Sequence, residues 1–144
     1  MTTYQIYCKV GSTDFSANLG LEIWLDDQPL FNSEHITKET PVSFEFNEDE
    51  LEHELRFIMK NKTPEHTQIN ESNEIVHDAR LTITDVAFDE IELKQIFIDH
   101  AIYTHDFNGT QEQTQTKFYG EMGCNGVVSL KFTTPIYQWM LENM

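Results

Sequence analysis

Hydrophobic and polar residues alternate along most of the chain with a period of two, which is typical of half-buried β-strands. Turn-forming residues such as Asp26, Asp27 and Pro29 separate these segments. The alternation favours strands over residues 4–10, 19–25, 42–46, 55–59, 81–88, 96–103 and 128–132. With a short return strand at Leu30–Phe31 and another at residues 91–93, this makes about eight or nine strands. Because they do not alternate with helices, they predict an all-β fold, an antiparallel β-sandwich of jelly-roll type.

One strand changes phase in its middle. Leu81 and Ile83 share one face of the predicted strand, whereas Val86 and Phe88 occupy the other phase. An extra residue would restore both pairs to the same face, because side chains point to opposite sides at successive positions. We therefore expect a β-bulge at Thr84–Asp85.

The segment 63–77 contains one proline, several Asn and Glu residues and only isolated apolar residues. It is the longest stretch that the pattern assigns to irregular structure. Long loops in compact domains commonly carry function, so this loop is a candidate for binding a ligand. A mobile surface loop without any partner is the alternative.

The C-terminus predicts a short helix. Thr134 would act as its N-cap and Pro135 would take the first helical position, ahead of the apolar segment 136–141. The segment includes Trp139 and is too apolar to stand free in water. We expect it to pack into the domain's own core, or else to insert into a neighbouring subunit and form a homo-oligomer.

Length and charge limit the class of protein. A chain of 144 residues is the usual size of one domain, so we expect residues 1–144 to form a single β-sandwich domain. Nine Lys and Arg residues against 25 Asp and Glu residues give a net charge of −16. This charge repels phosphate backbones and anionic membranes, which argues against nucleic acid and membrane as partners. The N-terminal residues lack the pattern of a signal peptide, so a cytoplasmic location is expected.

Cys8 and Cys124 lie near opposite ends of the sequence and belong to no metal-binding motif. Two reduced thiols are expected. A disulfide between them is the alternative if the first and last strands are neighbours. The sequence also lacks a nucleophile elbow, a zinc-protease motif and a glycine-rich phosphate loop. We therefore predict a binding or assembly module and not an enzyme.

Three residues are candidate ligand-binding groups. Trp24 falls on the polar face of its strand, where an exposed aromatic ring beside polar groups would suit a sugar. Packing of Trp24 under a loop or against the second sheet is the alternative. His66 lies in the long loop, and Tyr119 lies in a segment punctuated by three glycines, which suggests unusual backbone angles.

Calcium is the most favoured metal, because it prefers oxygen ligands and the chain offers several near the long loop and the bulge. The candidate ligands are Asn61, Asp78, Asp85 and Asp89. A transition-metal site shared by His100 and His105 is disfavoured, because an odd separation on one strand directs the two rings to opposite faces.

Two resemblances add to these expectations. The segments LDDQPL, HELRFIMKNK and DARLTITDVAFD, in this order between Leu21 and Ile98, resemble calcium-dependent, xylan-binding-type carbohydrate-binding modules. The resemblance implies a β-sandwich that holds calcium with loop carboxylates and binds sugar through it, with Asp78 as the position carried over. The aromatic-rich loop often found in such modules is absent here.

The C-terminal segment FYGEMGCNGVVSLKFTTPIYQWMLENM resembles small proteins of tailed phages of marine cyanobacteria. This resemblance implies a module located in the virion or in the host cytoplasm. The leading hypothesis is a non-catalytic module that binds a glycan or a protein surface. The alternative is a structural protein that assembles through its C-terminal helix.

Overall fold

A computed structural model describes residues 3–63, 67–105 and 114–144 of the chain. Over these residues the backbone is mostly strand, with one short 3₁₀ turn and two short α-helices. In chain order the elements are β1 (Thr3–Ser12), the 3₁₀ turn (Phe15–Ala17), β2 (Gly20–Leu25), β3 (Gln28–Ser33), β4 (Thr40–Asn47), β5 (Glu52–Lys60), β6 (Thr67–Ile69), β7 (Ile75–Asp78), β8 (Leu81–Phe88), β9 (Ile91–Glu92), α1 (Gln95–His100), β10 (Ile102–His105), β11 (Thr114–Lys117), β12 (Glu121–Met122), β13 (Gly126–Thr133) and α2 (Ile136–Glu142).

Most of the strands form two sheets. Sheet A has the order β12-β8-β1-β4, with β9 beside β8, and sheet B has the order β11-β10-β13-β5-β2-β3. The pairings described in both sheets are antiparallel. The predicted antiparallel β-sandwich of jelly-roll type with a short C-terminal helix is confirmed.

The core lies between the two sheets. The rings of Phe88 in sheet A and Phe132 in sheet B have centroids 4.9 Å apart, and Tyr4 packs its ring 6.2 Å from Phe132. Alternate residues of the long strands are buried here, as the period of two predicts. They include Ile6, Cys8, Val10, Leu21, Ile23, Leu55, Phe57, Leu81, Ile83, Val128 and Leu130.

The predicted bulge in β8 is confirmed. Tyr7 pairs with Ala87 and Lys9 pairs with Thr84, so two residues of β8 oppose the single residue between them on β1. Asp85 has a positive φ of 55° at this point. The bulge directs Val86 and Phe88 into the core together with the first half of the strand.

The predicted strand over residues 96–103 is wrong in its first part, because Gln95–His100 forms helix α1. Phe97 is the buried residue of this helix, and Leu93 and Ala101, four residues before and after it, are buried at its two ends. His100 therefore lies on a helix and His105 on β10. The strand-alternation argument about this pair does not apply.

The segment 63–77 is more regular than predicted. It contains the hairpin of β6 and β7, which is closed by a turn over residues 70–73. Asn70 stabilises this turn, since its side-chain oxygen accepts hydrogen bonds from the backbone N–H groups of Ser72 and Glu74. The polar residues that made this segment look irregular in the sequence therefore form the turn between β6 and β7.

Helix α2 covers one end of the sandwich. Ile136, Trp139 and Met140 are buried, and the Trp139 ring packs 6.0 Å from Phe88 and from Phe132. The helix thus packs into the domain's own core. The predicted cap is wrong: the Thr134 hydroxyl bonds to the Asp49 carboxylate, and Pro135 takes the N-cap position without a side-chain cap.

Cys8 and Cys124 are both free thiols. Cys8 is buried on β1, whereas Cys124 is half-buried just before β13. The helices of the described ranges are all too short to cross a membrane.

Candidate functional site

Tyr119 presents an aromatic ring to solvent. Its side chain is 74% exposed, although the preceding residue, Phe118, is completely buried. Phe118 contacts Phe97 and Tyr103 edge to face, with centroids 5.8 and 6.0 Å apart. Phe118 thus anchors this segment in the core, while Tyr119 next to it lies at the surface.

Gly120 completes the support of Tyr119. Its φ of +106° lies in the region that glycine adopts most readily, and its carbonyl accepts a hydrogen bond of 2.9 Å from the Ile83 N–H. Among the three glycines of this segment, only Gly120 has a positive φ. Gly126 is needed for space instead, because an added Cβ would lie 2.2 Å from the Thr104 carbonyl oxygen.

Two clefts border the Tyr119 ring. The first, which we call the Arg80 cleft, has a volume of about 340 Å³ and is lined by Arg80, Tyr103, His105, Thr116, Lys117, Tyr119, Glu121 and Gly123. The second, which we call the Lys94 cleft, has a volume of about 240 Å³ and is lined mainly by residues of β8, α1 and the 118–120 segment, with Asp85, Glu92 and Lys94 as its charged members. Tyr119 therefore forms a ridge between two clefts, each lined by both apolar and charged side chains.

A chain of alternating charges leads into the Arg80 cleft. Lys62 Nζ lies 2.5 Å from Asp78 Oδ1, and Arg80 Nε lies 3.2 Å from Asp78 Oδ2. Arg80 continues with a bond of 3.0 Å from Nη1 to Glu121 Oε2. Hydrogen bonds to Glu121 and then Asp78 raise the pKa of the Arg80 guanidinium above its ordinary value. The guanidinium has more donors than these two bonds use, so it can also reach a ligand.

Hydroxyl and imidazole groups line the opposite wall of the same cleft. His105 Nε2 lies 2.8 Å from Thr116 Oγ1, and His105 Nδ1 lies 3.3 Å from Cys124 Sγ. The ring stacks on Tyr103 with centroids 3.9 Å apart. Burial lowers the pKa of His105, which favours the neutral imidazole at pH 7. This wall offers neutral donors and acceptors.

Of the predicted ligand-binding residues, Tyr119 and Trp24 lie in different parts of the described structure. Tyr119 lines the Arg80 cleft, and Asp78, a predicted calcium ligand, pairs with Arg80. Trp24 lies on the outer face of sheet B, near the opposite edge from β11, and the Arg56 guanidinium lies 5.8 Å above its ring. Trp24 is half-buried there. His66 lies outside the described residues.

The four predicted calcium ligands each have another partner in the protein. Asn61 donates its amide to the Glu34 carbonyl at 2.8 Å, and Asp85 lies 3.5 Å from Lys9 Nζ. Asp89 accepts hydrogen bonds from the Gln5 backbone N–H and the Tyr137 hydroxyl, and Asp78 is paired with two cations. Across the ranges that the structure describes, no three His, Cys, Asp or Glu residues are arranged to hold a metal. In this structure the four side chains are engaged with protein partners, and calcium binding by them stays a prediction.

Arg80, Glu121 and Lys62 were missed by sequence reasoning. Arg80 and Glu121 are 41 residues apart, and β12 reaches Arg80 only because it pairs with the start of β8. The sequence did contain one signal for this site, namely the small number of basic residues: only nine Lys and Arg residues occur in the chain. Three of the nine gather here as Lys62, Arg80 and Lys117.

Comparison with known proteins bears on the fold. No family model matches the sequence, and the comparison with curated proteins gives no significant match. Among solved structures, the chain is similar to vCBM60, described in connection with two families of calcium-dependent carbohydrate-binding modules linked by circular permutation. The similarity covers 88% of this chain and 89% of that one, with a TM-score of 0.52 and 9% sequence identity. The chain thus shares its β-sandwich fold with a calcium-dependent carbohydrate-binding module.

Proposed function

We propose that this protein is a non-catalytic carbohydrate-binding module that holds a neutral sugar against Tyr119, in the Arg80 and Lys94 clefts. The exposed Tyr119 ring, between two clefts that combine apolar and charged side chains, is the observation that carries the proposal. A large aromatic side chain that is 74% exposed gains little stability from burial. Its position is nevertheless fixed by a buried neighbour and by Gly120, as expected for a contact surface.

The chemistry of the clefts suits a pyranose. One face of such a ring is apolar and can pack on the Tyr119 ring, while the hydroxyl groups around its rim need both donors and acceptors. Arg80 supplies donors, Glu121 supplies acceptors, and the Thr116 hydroxyl supplies both. The clefts on the two sides of Tyr119 would allow adjoining sugars of one chain to bind.

The charge of the site favours a neutral sugar over an acidic one. Lys62, Asp78, Arg80 and Glu121 alternate in sign, so their charges cancel. Lys117 is likewise paired, with Asp99 at 3.8 Å. The net charge of −16 adds a field that repels uronates and sulfated sugars.

Similarity of fold to a carbohydrate-binding module supports this proposal, because ligands of such sandwiches would be held by side chains presented from a rigid β scaffold. The likeness concerns the scaffold, and the binding groups named above belong to this chain alone. The sequence resemblance to phage proteins extends the proposal to its setting. A module of this kind could hold a virion to a glycan on a cell surface.

The test is a binding screen with soluble neutral oligosaccharides, followed by calorimetry on the best ligand with Tyr119→Ala and Tyr119→Phe. Tyr119→Ala should weaken binding by about tenfold or more, from loss of stacking and of buried apolar area. Tyr119→Phe keeps the ring and should retain most of the affinity.

Tyr137→Ala is the matched control, because Tyr137 is a 47% exposed tyrosine on helix α2 and borders neither cleft. It should bind as the wild type does. Equal affinities of the wild type and Tyr119→Ala would contradict the proposed site. A screen in which neutral sugars all fail to bind would contradict the proposed function.

A further inference from the structure

Lys62 has the surroundings of a bound cation. Its side chain is 4% exposed, and its Nζ donates to three oxygens: Asp78 Oδ1 at 2.5 Å, the Ala79 carbonyl at 2.5 Å and the Gly123 carbonyl at 2.9 Å. A carboxylate together with backbone carbonyls is the donor set that proteins offer to hard cations. Here an ammonium group occupies the centre of these oxygens.

The number of acceptors requires the charged form of the lysine. An ammonium group has one N–H for each of the three acceptors, whereas a neutral amine has one fewer. A neutral amine would also leave the Asp78 carboxylate, whose side chain is 14% exposed, without its buried counter-charge. The three N–H donors of an ammonium group thus match the three oxygen acceptors around Lys62 Nζ.

The backbone of Lys62 is held as firmly as its ammonium group. The Asn125 side chain accepts a hydrogen bond of 3.0 Å from the Lys62 N–H and donates one of 3.0 Å to the Lys62 carbonyl. The Lys62 contacts thus join three segments: the end of β5, the β7–β8 connection and the 123–125 segment before β13. These segments form the floor beneath Arg80.

We propose that the Lys62 ammonium is the built-in cation of this site and does the work for which a calcium-dependent module needs a metal. It neutralises Asp78, holds the three segments together and thereby positions Arg80 in the cleft. The fold resembles that of a calcium-dependent protein, but the oxygen ligands that could serve a cation here are already taken by a side chain. Stability of the protein, and ligand binding at the Arg80 cleft, should then be independent of calcium. The second of these statements rests on the proposed function.

The first experiment measures thermal unfolding of the wild-type protein in millimolar calcium and in excess chelator. The midpoint Tm should be the same in both. A bound metal would raise Tm with increasing concentration, because a ligand that binds only the native state stabilises it. A Tm that rises with calcium and falls with chelator would overturn the proposal.

The second experiment replaces the cation. Lys62→Met keeps much of the side-chain volume but removes the charge, so Asp78 loses its buried partner and Tm should fall by several degrees. Lys60→Met is the matched control: Lys60 lies two residues away and forms a more exposed ion pair of 2.8 Å with Glu34. Its Tm should change much less.

A second substitution keeps the test decisive if Lys62→Met unfolds the protein. In Lys62→Met combined with Asp78→Asn, the buried carboxylate is absent and part of the lost Tm should return. Equal Tm values for Lys62→Met and wild type would overturn the proposal, and so would a double variant no more stable than Lys62→Met. These measurements need no sugar, so they can succeed or fail independently of the binding screen.

Discussion

Trp139 allows a direct test of whether helix α2 belongs to the domain or joins subunits. The ring is 6% exposed and packs against Phe88, Phe132 and His100 with centroids 6.0 to 6.1 Å away. The substitution Trp139→Ala would remove this ring from the end of the core. The neighbouring aromatic rings are held by long strands and can fill the space only in part.

The expected loss of stability follows from the buried area. A buried tryptophan removes about 150–250 Å² from water, which at about 25 cal/mol per Å² corresponds to roughly 4–6 kcal/mol. Part of this area is already buried in the unfolded chain, which lowers the figure. Core Trp→Ala changes typically cost about 3–5 kcal/mol. We expect the free energy of unfolding to fall by about 4 kcal/mol.

Urea unfolding followed by intrinsic fluorescence and circular dichroism would measure this loss, with light scattering to determine the mass before unfolding. Leu141→Ala is the control, because Leu141 lies on the same helix but is 72% exposed. It should change the free energy of unfolding by no more than about 0.5 kcal/mol. If Trp139→Ala instead left the stability nearly unchanged and reduced the mass in solution, the packing of α2 within its own domain would be refuted.

Three further predictions follow from local geometry. Burial lowers the pKa of His53, but hydrogen bonds to Asp26 and Asp49 raise it by more, so its contribution to stability is complete below pH 6.5 and is lost as the pH rises through the raised pKa. Urea unfolding at several pH values should show this loss for the wild type and a flatter profile for His53→Gln. Burial also raises the pKa of the Cys8 thiol to about 12, so a thiol reagent should label one cysteine in the native protein, Cys124, and both after unfolding. Labelling of Cys8 in the native protein would contradict its burial. Finally, Gly126→Ala should lower Tm strongly, because the added Cβ would lie 2.2 Å from the Thr104 carbonyl oxygen. The same change at Gly123 should be mild, because the nearest atom is 3.8 Å away.

Alternation along the sequence was enough to predict the sandwich, because the strands of both sheets bury one face and expose the other. It also located the bulge at Asp85, since a change of phase within one strand has few other structural causes. The helix α1 escaped this reasoning. Ile96 and Ile98 alternate as strand residues do, but in the structure Phe97 between them is the buried residue of the helix.

The site was only partly predictable for a different reason. Tyr119 could be selected because it lies in a segment punctuated by three glycines, although the burial of Phe118 beside it appears only in the structure. Arg80 and Glu121 meet through the pairing of β8 with β12, and that pairing leaves no local trace in the sequence. The burial of Lys62 could not be predicted, because most lysines are exposed and a buried lysine is recognised only from its partners in the structure.

The hairpin of β6 and β7 leaves the sandwich just after Lys62 and returns to it at Asp78. The ion pair between Lys62 and Asp78 connects the two ends of this hairpin. The residues between them are therefore not needed to hold the two ends together. Lengthening that excursion adds only slowly to the entropic cost of closing it. We therefore expect insertions between residues 63 and 77 to be tolerated, which makes this interval a suitable place to graft a foreign peptide.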